Sequence, residues 1–312
     1  MLEPGYGNTG MFRGRLLCCV GGKYKVFDGN SIIGCEARGI FRHNNLSPVA
    51  GDEVICIRGQ NNENTAVINE VLPRKNLLPR PPVSNIDVLF IVCASSEPEP
   101  SVLGIDKLTV IAAHLSIKPI LIINKTEINP VKASELFDIY SFSGINTFLF
   151  QENTHDEVKA ALLPLIEGNV CTFAGESGVG KSTLLNSLFG EDISKTSVLS
   201  DKSKRGRQTT RESVLYPISF CKSPSFLADT PGFSLLDFEK NSFVDKYELA
   251  QCFSDFISFT DKCKYNKCSH TVEEGCAVLE AVREGKIKKT RHESYMYLYN
   301  CVKNFKPWEK RS

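Results

Sequence analysis

Apolar and polar positions alternate in three different ways along the chain. Between 11 and 72 they come as short β-like runs at 14–20, 23–27 and 53–57, cut by Gly21-Gly22, Asp28-Gly29-Asn30 and Ala50-Gly51-Asp52. Closely spaced strands and turns predict a small β-barrel of the OB type. Residues 73–82 (Pro-Arg-Lys-Asn-Leu-Leu-Pro-Arg-Pro-Pro) read as a stiff, basic linker. From 86 to 260 the runs at 86–92, 119–123 and 147–150 are apolar throughout, as strands buried on both faces are. Residues 104–115 between the first two have helical character. This βαβ order predicts a doubly wound, mostly parallel sheet. Residues 261–312 carry clustered cysteines and a charged, helix-prone tail.

Charge adds little globally and something locally. Lys and Arg number 37 against 36 Asp and Glu, so no overall field points to nucleic acid. Yet Lys195, Lys202, Lys204, Arg205, Arg207 and Arg211 face only Asp201 over 195–211. The tail residues Arg283, Lys286, Lys288, Lys289 and Arg291 form a candidate RNA-facing surface, with a solvated charged face as the plain alternative. No apolar run reaches the ~20 residues of a membrane span. The first residues lack the form of a signal peptide, so a cytoplasmic protein with reduced thiols is expected. His43, His114, His155 and His292 suggest no partner.

Candidate chemistry concentrates in four segments. Gly175-Glu176-Ser177-Gly178-Val179-Gly180-Lys181-Ser182, followed by Thr183, is a phosphate-binding loop between a predicted strand at 170–174 and a helix at 182–189. Its backbone N–H groups can cradle phosphates, Lys181 can reach the β/γ-phosphates, and the Ser182 hydroxyl can bind Mg²⁺. Asp229-Thr230-Pro231-Gly232 follows an apolar run; its Asp can hold Mg²⁺ through water and its Gly N–H can contact a γ-phosphate. Gly206–Arg211 lies where a switch loop belongs, with Thr210 rather than Thr209 the expected Mg²⁺ ligand. Asn124-Lys125-Thr126-Glu127 follows an apolar strand and is like the guanine-reading N-K-x-D element, with Glu127 supplying the carboxylate. That element precedes Gly175 by 51 residues, whereas nucleotide-binding domains usually carry it after the D-x-x-G segment. Circular permutation reconciles the order, since rejoined ends leave every site residue in place.

Cys263-x₄-Cys268-x-His270-x₅-Cys276 supplies three thiolates and an imidazole, the donor set of one closed, structural zinc site. Such a site can fasten a module too small to fold on its own core.

These motifs, in this order, resemble the circularly permuted GTPases that depend on the small ribosomal subunit, the RsgA (YjeQ/YloQ) family. Val49–Asp52, Pro73–Asn76 and Arg80–Asp87 fit the family's barrel and the start of its GTPase domain. The resemblance implies an OB barrel at 1–72, a linker at 73–85, a permuted GTPase domain at 86–245 and a zinc-binding domain at 246–312. It implies a monomer without membrane attachment that hydrolyses GTP, holds Mg²⁺ and one Zn²⁺, and assists late assembly of the small subunit by contacting its rRNA. Glu127 stands where the family has Asp, Gln208 where it often has His, Gln151-Glu152-Asn153 where it has small residues, and Asp106-Lys107 where it has Asp-Arg. Phe233 occupies the place of the water-orienting Gln of Ras-like enzymes, so low intrinsic turnover is expected, with Gln208 the candidate to orient water. The alternatives are an RNA-binding module with a degenerate nucleotide site, and an ATPase.

Overall fold

The computed structural model describes residues 10–37, 47–59, 62–79, 82–151, 154–189, 213–229 and 244–304. The chain folds as two compact units, one gathering 1–87, 163–172 and 193–233, the other 88–162, 173–192 and 234–312.

The first unit holds a closed barrel of β1 (Met11–Val20), β2 (Lys23–Phe27), β3 (Ile32–Ala37), β4 (Glu53–Gly59) and β5 (Asn62–Val71), in the order β1-β2-β3-β5-β4. Closure rests on β1, whose first half pairs with β4 and whose second half pairs with β2. A register shift between Leu16 and Cys18 bends the strand between its two partners. Gly21 and Gly22 both have positive φ, which suits the tight β1–β2 hairpin. The barrel is filled by Leu16, Val26, Ile33, Val54, Cys56 and Ile68. The expected β-barrel is therefore present, with β3 and β5 as strands that the apolar runs did not mark.

Residues 77–79 and 82–84 form a packed antiparallel pair where a stiff spacer is expected. β6 (Leu77–Pro79) pairs with β7 (Pro82–Ser84), and Leu78 and Val83 are fully buried. Asp52 holds the hairpin down: its buried carboxylate accepts from Val49 N (2.8 Å), Arg74 Nε (2.7 Å) and Nη2 (2.8 Å), and Ser84 Oγ (2.6 Å). A Cβ at Gly51 would lie 2.1 Å from the Ser84 carbonyl, so this approach requires glycine. The unit is completed by β11 (Val170–Ala174), β12 (Val214–Pro217) and β13 (Phe226–Asp229), ordered β11-β13-β12 with β12 antiparallel. Sequence pattern had not marked β12.

The second unit contains the parallel strands β8 (Val88–Ala94), β9 (Lys118–Asn124) and β10 (Asn146–Leu149), ordered β10-β9-β8. α1 (Val102–His114) and α2 (Pro130–Phe142) are the crossovers, capped by Ser101 and by Asn129 with Pro130 in the first turn. α3 (His155–Ile166) leads to β11, and α4 (Lys181–Phe189) follows the glycine-rich loop. A 3₁₀ turn (Leu249–Cys252), α5 (Ile257–Thr260), α6 (Ala277–Arg283) and α7 (Lys289–Val302) make the C-terminal module.

α7 buries Arg291, Ser294, Tyr295, Leu298 and Val302, a stripe at helical spacing. Arg291 corrects the expected basic tail, because it is 1% exposed and faces inward. Its guanidinium donates to Asp106 of α1, and to Asp255 Oδ1 (2.9 Å) and Oδ2 (3.3 Å). Tyr140 of α2 adds a hydroxyl to Asp106 at 3.0 Å, and Phe253 lies 4.7 Å beneath the guanidinium. Burial lifts the Asp106 carboxyl, while Arg291 pulls it down. By contrast Arg283, Lys286 and Lys289 pair with Glu280, Glu284 and Glu293 at the surface.

Removing one member of a buried ion pair strands the other and costs ~3–5 kcal/mol, against well under ~1 kcal/mol for an exposed pair. Arg291→Ala is therefore expected to lower the urea midpoint of the second unit sharply. Lys289→Ala should leave it within error.

Candidate nucleotide site and metal centre

The all-buried β11 ends at Ala174, and the chain turns through Gly175, Gly178 and Gly180 (φ +148°, +87° and +93°) into α4. The first bond of α4 runs from Leu184 N to Gly180 O (2.9 Å), which leaves the N–H groups of Lys181, Ser182 and Thr183 without intrahelical partners. No acid occupies the first turn. A helix start of this kind, beside a loop of positive-φ glycines, is a ready anion cradle. Lys181 Nζ bends back over the loop and donates to Gly175 O (2.8 Å) and Glu176 O (2.7 Å). Burial lowers its pKa, with Glu176 opposing.

The Asn124–Glu127 corner lies directly on this loop. Asn124 Nδ2 donates to Val179 O (2.8 Å), and Asn124 Oδ1 accepts from Lys125 N (2.8 Å). Lys125 sits at φ +58° and donates from Nζ to Gly178 O (2.9 Å) and Glu97 O (2.8 Å). A Cβ at Gly180 would stand 2.4 Å from Asn124 Nδ2, so the loop glycine is also a condition for this contact. Sequence reading missed Ser95 at the end of β8, whose hydroxyl donates to Lys125 O (2.6 Å) and whose N–H donates to Asn124 O (2.9 Å). Its only signal is a hydroxyl at the tip of an apolar strand.

Glu127 is exposed, and with Thr126 and Gln151 it lines a hollow of about 240 Å³ walled by Phe137 and Leu149. Ser182 and Thr183 are exposed at the start of α4. Asp229 ends β13, where its backbone pairs with Val214. Gln208, Thr209, Thr210, Gly232 and Phe233 lie outside the described residues, as do Glu152 and Asn153.

In the C-terminal module the ligand atoms of Cys263, Cys268, His270 and Cys276 all lie within 4.8 Å of one another. His270 Nδ1 is 3.5 Å from both Cys263 Sγ and Cys276 Sγ, so the imidazole nitrogen and the sulfurs converge. Three sulfurs and one nitrogen around a point fit a tetrahedral Zn²⁺ with no open position. The supports are specific. His270 is held at φ +57° while its carbonyl accepts from His292 Nε2 (2.8 Å), and Tyr295 Oη donates to Ser269 O (2.8 Å). Glu273 closes the turn by accepting from Ser269 N (2.7 Å) and Thr271 N (3.0 Å). Burial would raise that carboxyl, but the Ser269 hydroxyl and these N–H donors outweigh it and hold it at about 2. His292, without an evident partner in sequence, thus orients the ligand loop.

Two outcomes follow from this geometry. Gly180→Ala forces a side chain against Asn124 at positive φ, a strain of ~1–3 kcal/mol. Titration with a fluorescent guanine nucleotide should show affinity reduced about tenfold or more. Purified protein should carry one zinc by elemental analysis. Cys268→Ser should lose most of it, with faster amide exchange across 261–276.

Comparison with known proteins agrees with this geometry. The RsgA GTPase family model matches residues 71–239, and the RsgA N-terminal domain model matches 13–68. The small ribosomal subunit biogenesis GTPase RsgA of Caldanaerobacter subterraneus subsp. tengcongensis is 38% identical over 297 residues, covering 93% of this chain and 96% of the relative. That of Clostridium novyi is 37% identical over 91% of this chain and 94% of the relative. Among solved structures, YjeQ from Thermotoga maritima superposes with TM-score 0.78 at 30% identity over 95% of this chain and 100% of that one. YloQ, described as a circularly permuted GTPase, gives 0.78 at 29% identity over 98% and 99%. The permuted motif order, the barrel and the length of these matches place the chain in the RsgA GTPase family.

Proposed function

We propose that this chain hydrolyses GTP to GDP and phosphate as a biogenesis factor of the small ribosomal subunit, and that the subunit stimulates its turnover. The observation that carries this reading is the direct bonding of Asn124 and Lys125 to the Val179 and Gly178 carbonyls. It supports one site for base and phosphates despite the permuted order.

The roles follow from residue chemistry. The loop N–H groups of Gly178–Thr183 hold phosphate oxygens, and Lys181 leaves its two carbonyl partners to bind them. The carboxylate of Glu127 accepts from guanine N1–H and N2–H₂, donors that adenine lacks. Ser182 and Thr210 are the assigned Mg²⁺ ligands, with Asp229 acting through water and the Gly232 N–H meeting the γ-phosphate. When bound, the ion neutralises charge on the phosphates. Gln208 is assigned to orient the attacking water when the subunit is bound. One structural zinc fastens the C-terminal module, which together with the barrel contacts rRNA. The working form is a cytoplasmic monomer; among the described residues no helix is long and apolar enough to cross a membrane.

Turnover measured with GTP and with ATP, under graded additions of purified small subunits, tests the reading. GTP turnover should be slow alone and rise with added subunits, ATP should not compete, and Lys181→Ala should abolish hydrolysis. Hydrolysis indifferent to subunits would leave an RNA binder with a vestigial nucleotide site. Preference for ATP would overturn the role of Glu127.

A further inference from the structure

Between the two zinc-ligand cysteines Cys263 and Cys268 stand Lys264, Tyr265, Asn266 and Lys267, all exposed. Tyr265 is 49% exposed and Tyr247, on a separate segment, 64% exposed. Lys267 joins the two segments, its Nζ lying 5.9 Å from the Tyr247 ring. Lys246 approaches that ring to 5.1 Å, Lys264 lies 5.5 Å over Tyr265, and Lys262 lies 5.5 Å over Phe259. An ammonium group within about 6 Å of a ring face is attracted by the ring quadrupole. Here four such pairs fall between 246 and 267; three join residues one to three positions apart, and Lys267 to Tyr247 is the one that crosses segments.

The charges are not spent on carboxylates. Among the described residues Lys262, Lys264 and Lys267 form no ion pair, unlike Lys286 and Lys289 farther along the chain. Of the nearby acids, Asp245 Oδ1 accepts from Tyr247 N (2.9 Å) and Glu248 lies 3.7 Å from His114, while Asp261 and Glu274 are exposed. Lys246 Nζ does reach a carbonyl, that of Lys303, at 3.2 Å. The loop backbone is fixed as well, by Lys264 N to Gly275 O (3.0 Å) and Cys268 N to Tyr265 O (3.2 Å). Two exposed phenol rings flanked by ammonium groups that form no ion pair among the described residues match one chemistry closely. Bases stack on the rings while phosphates meet the lysines, which is how proteins hold unpaired nucleic acid.

We propose that Tyr247 and Tyr265, with Lys246, Lys262, Lys264 and Lys267, form a stacking platform for an unpaired RNA segment. The inference rests on the small-subunit reading above and names a contact surface for it. A duplex is disfavoured, because its bases are not free to stack on a side chain.

The test uses the full-length protein and a fluorescein-labelled, unstructured twelve-nucleotide RNA read by anisotropy across a salt series. Tyr247→Leu with Tyr265→Leu should weaken binding about tenfold or more with the salt slope unchanged, and the paired Phe variants should retain affinity. Lys264→Gln with Lys267→Gln should flatten the slope by roughly 0.7 per lysine. A 4-thiouridine strand should cross-link the unmodified protein at Tyr247 or Tyr265. Leu variants that bind within twofold of the parent, or cross-links confined to 11–72, would overturn the platform. So would loss of subunit-stimulated turnover with unchanged strand affinity, which assigns the face to a protein. If the unaltered chain shows no subunit stimulation at all, the small-subunit reading fails separately, whatever the strand titration gives.

Discussion

The candidate nucleotide site depends on one carboxamide. Asn124 donates to the Val179 carbonyl and accepts from the Lys125 N–H, so a single side chain sets both the phosphate loop and the turn that ends β9. An aspartate there could accept but could not donate to a carbonyl. Lys125 adds a second tie through Gly178, and Ser95 holds the corner from β8. Because these ties cross space and not the chain, the order in which the segments are connected is immaterial to them. That is the physical reason a permuted sequence can keep its pocket.

Much of this was legible in sequence because the constraints act on residue type. A loop that needs positive φ at Gly178 and Gly180 and a bare Cα beside Asn124 leaves little freedom. A tetrahedral site needs four soft or borderline ligands at short spacing, and Cys263, Cys268, His270 and Cys276 declare them. What was not legible involves partners far apart. Arg291 sits in a run of basic residues and looked like surface, because its acceptor Asp106 lies 185 residues away. The proline-rich stretch at 73–82 reads as a spacer until Asp52 is seen to bind Arg74 and Ser84. β12 is four residues long and ends in proline, too short to show a period. The assigned residues Gln208, Thr210 and Gly232 fall outside the described residues, so their roles rest on motif chemistry.

Two buried polar hubs fix how elements of this protein meet. Asp52 carries the hairpin against the barrel, and Arg291 carries α7 against α1 and α2. Neither is a cheap way to gain stability, since desolvating a charge offsets much of the attraction. Each specifies one geometry, because a buried guanidinium with two carboxylates tolerates no sliding by a helical turn. Apolar contacts alone would permit such a slip.

Permutation gives that second hub a mechanical meaning. Opening the nucleotide fold after the Asp229 segment places the C-terminal module directly downstream of it in the chain. The module returns through Arg291 to Asp106, within the helix whose first turn comes close to the phosphate loop; a Cβ on Gly104 would lie 3.8 Å from Glu176 Oε1. It is therefore bound at both ends, covalently to the D-x-x-G segment and through a buried ion pair to the phosphate side. A body held at two points cannot follow a displacement of one without straining the other.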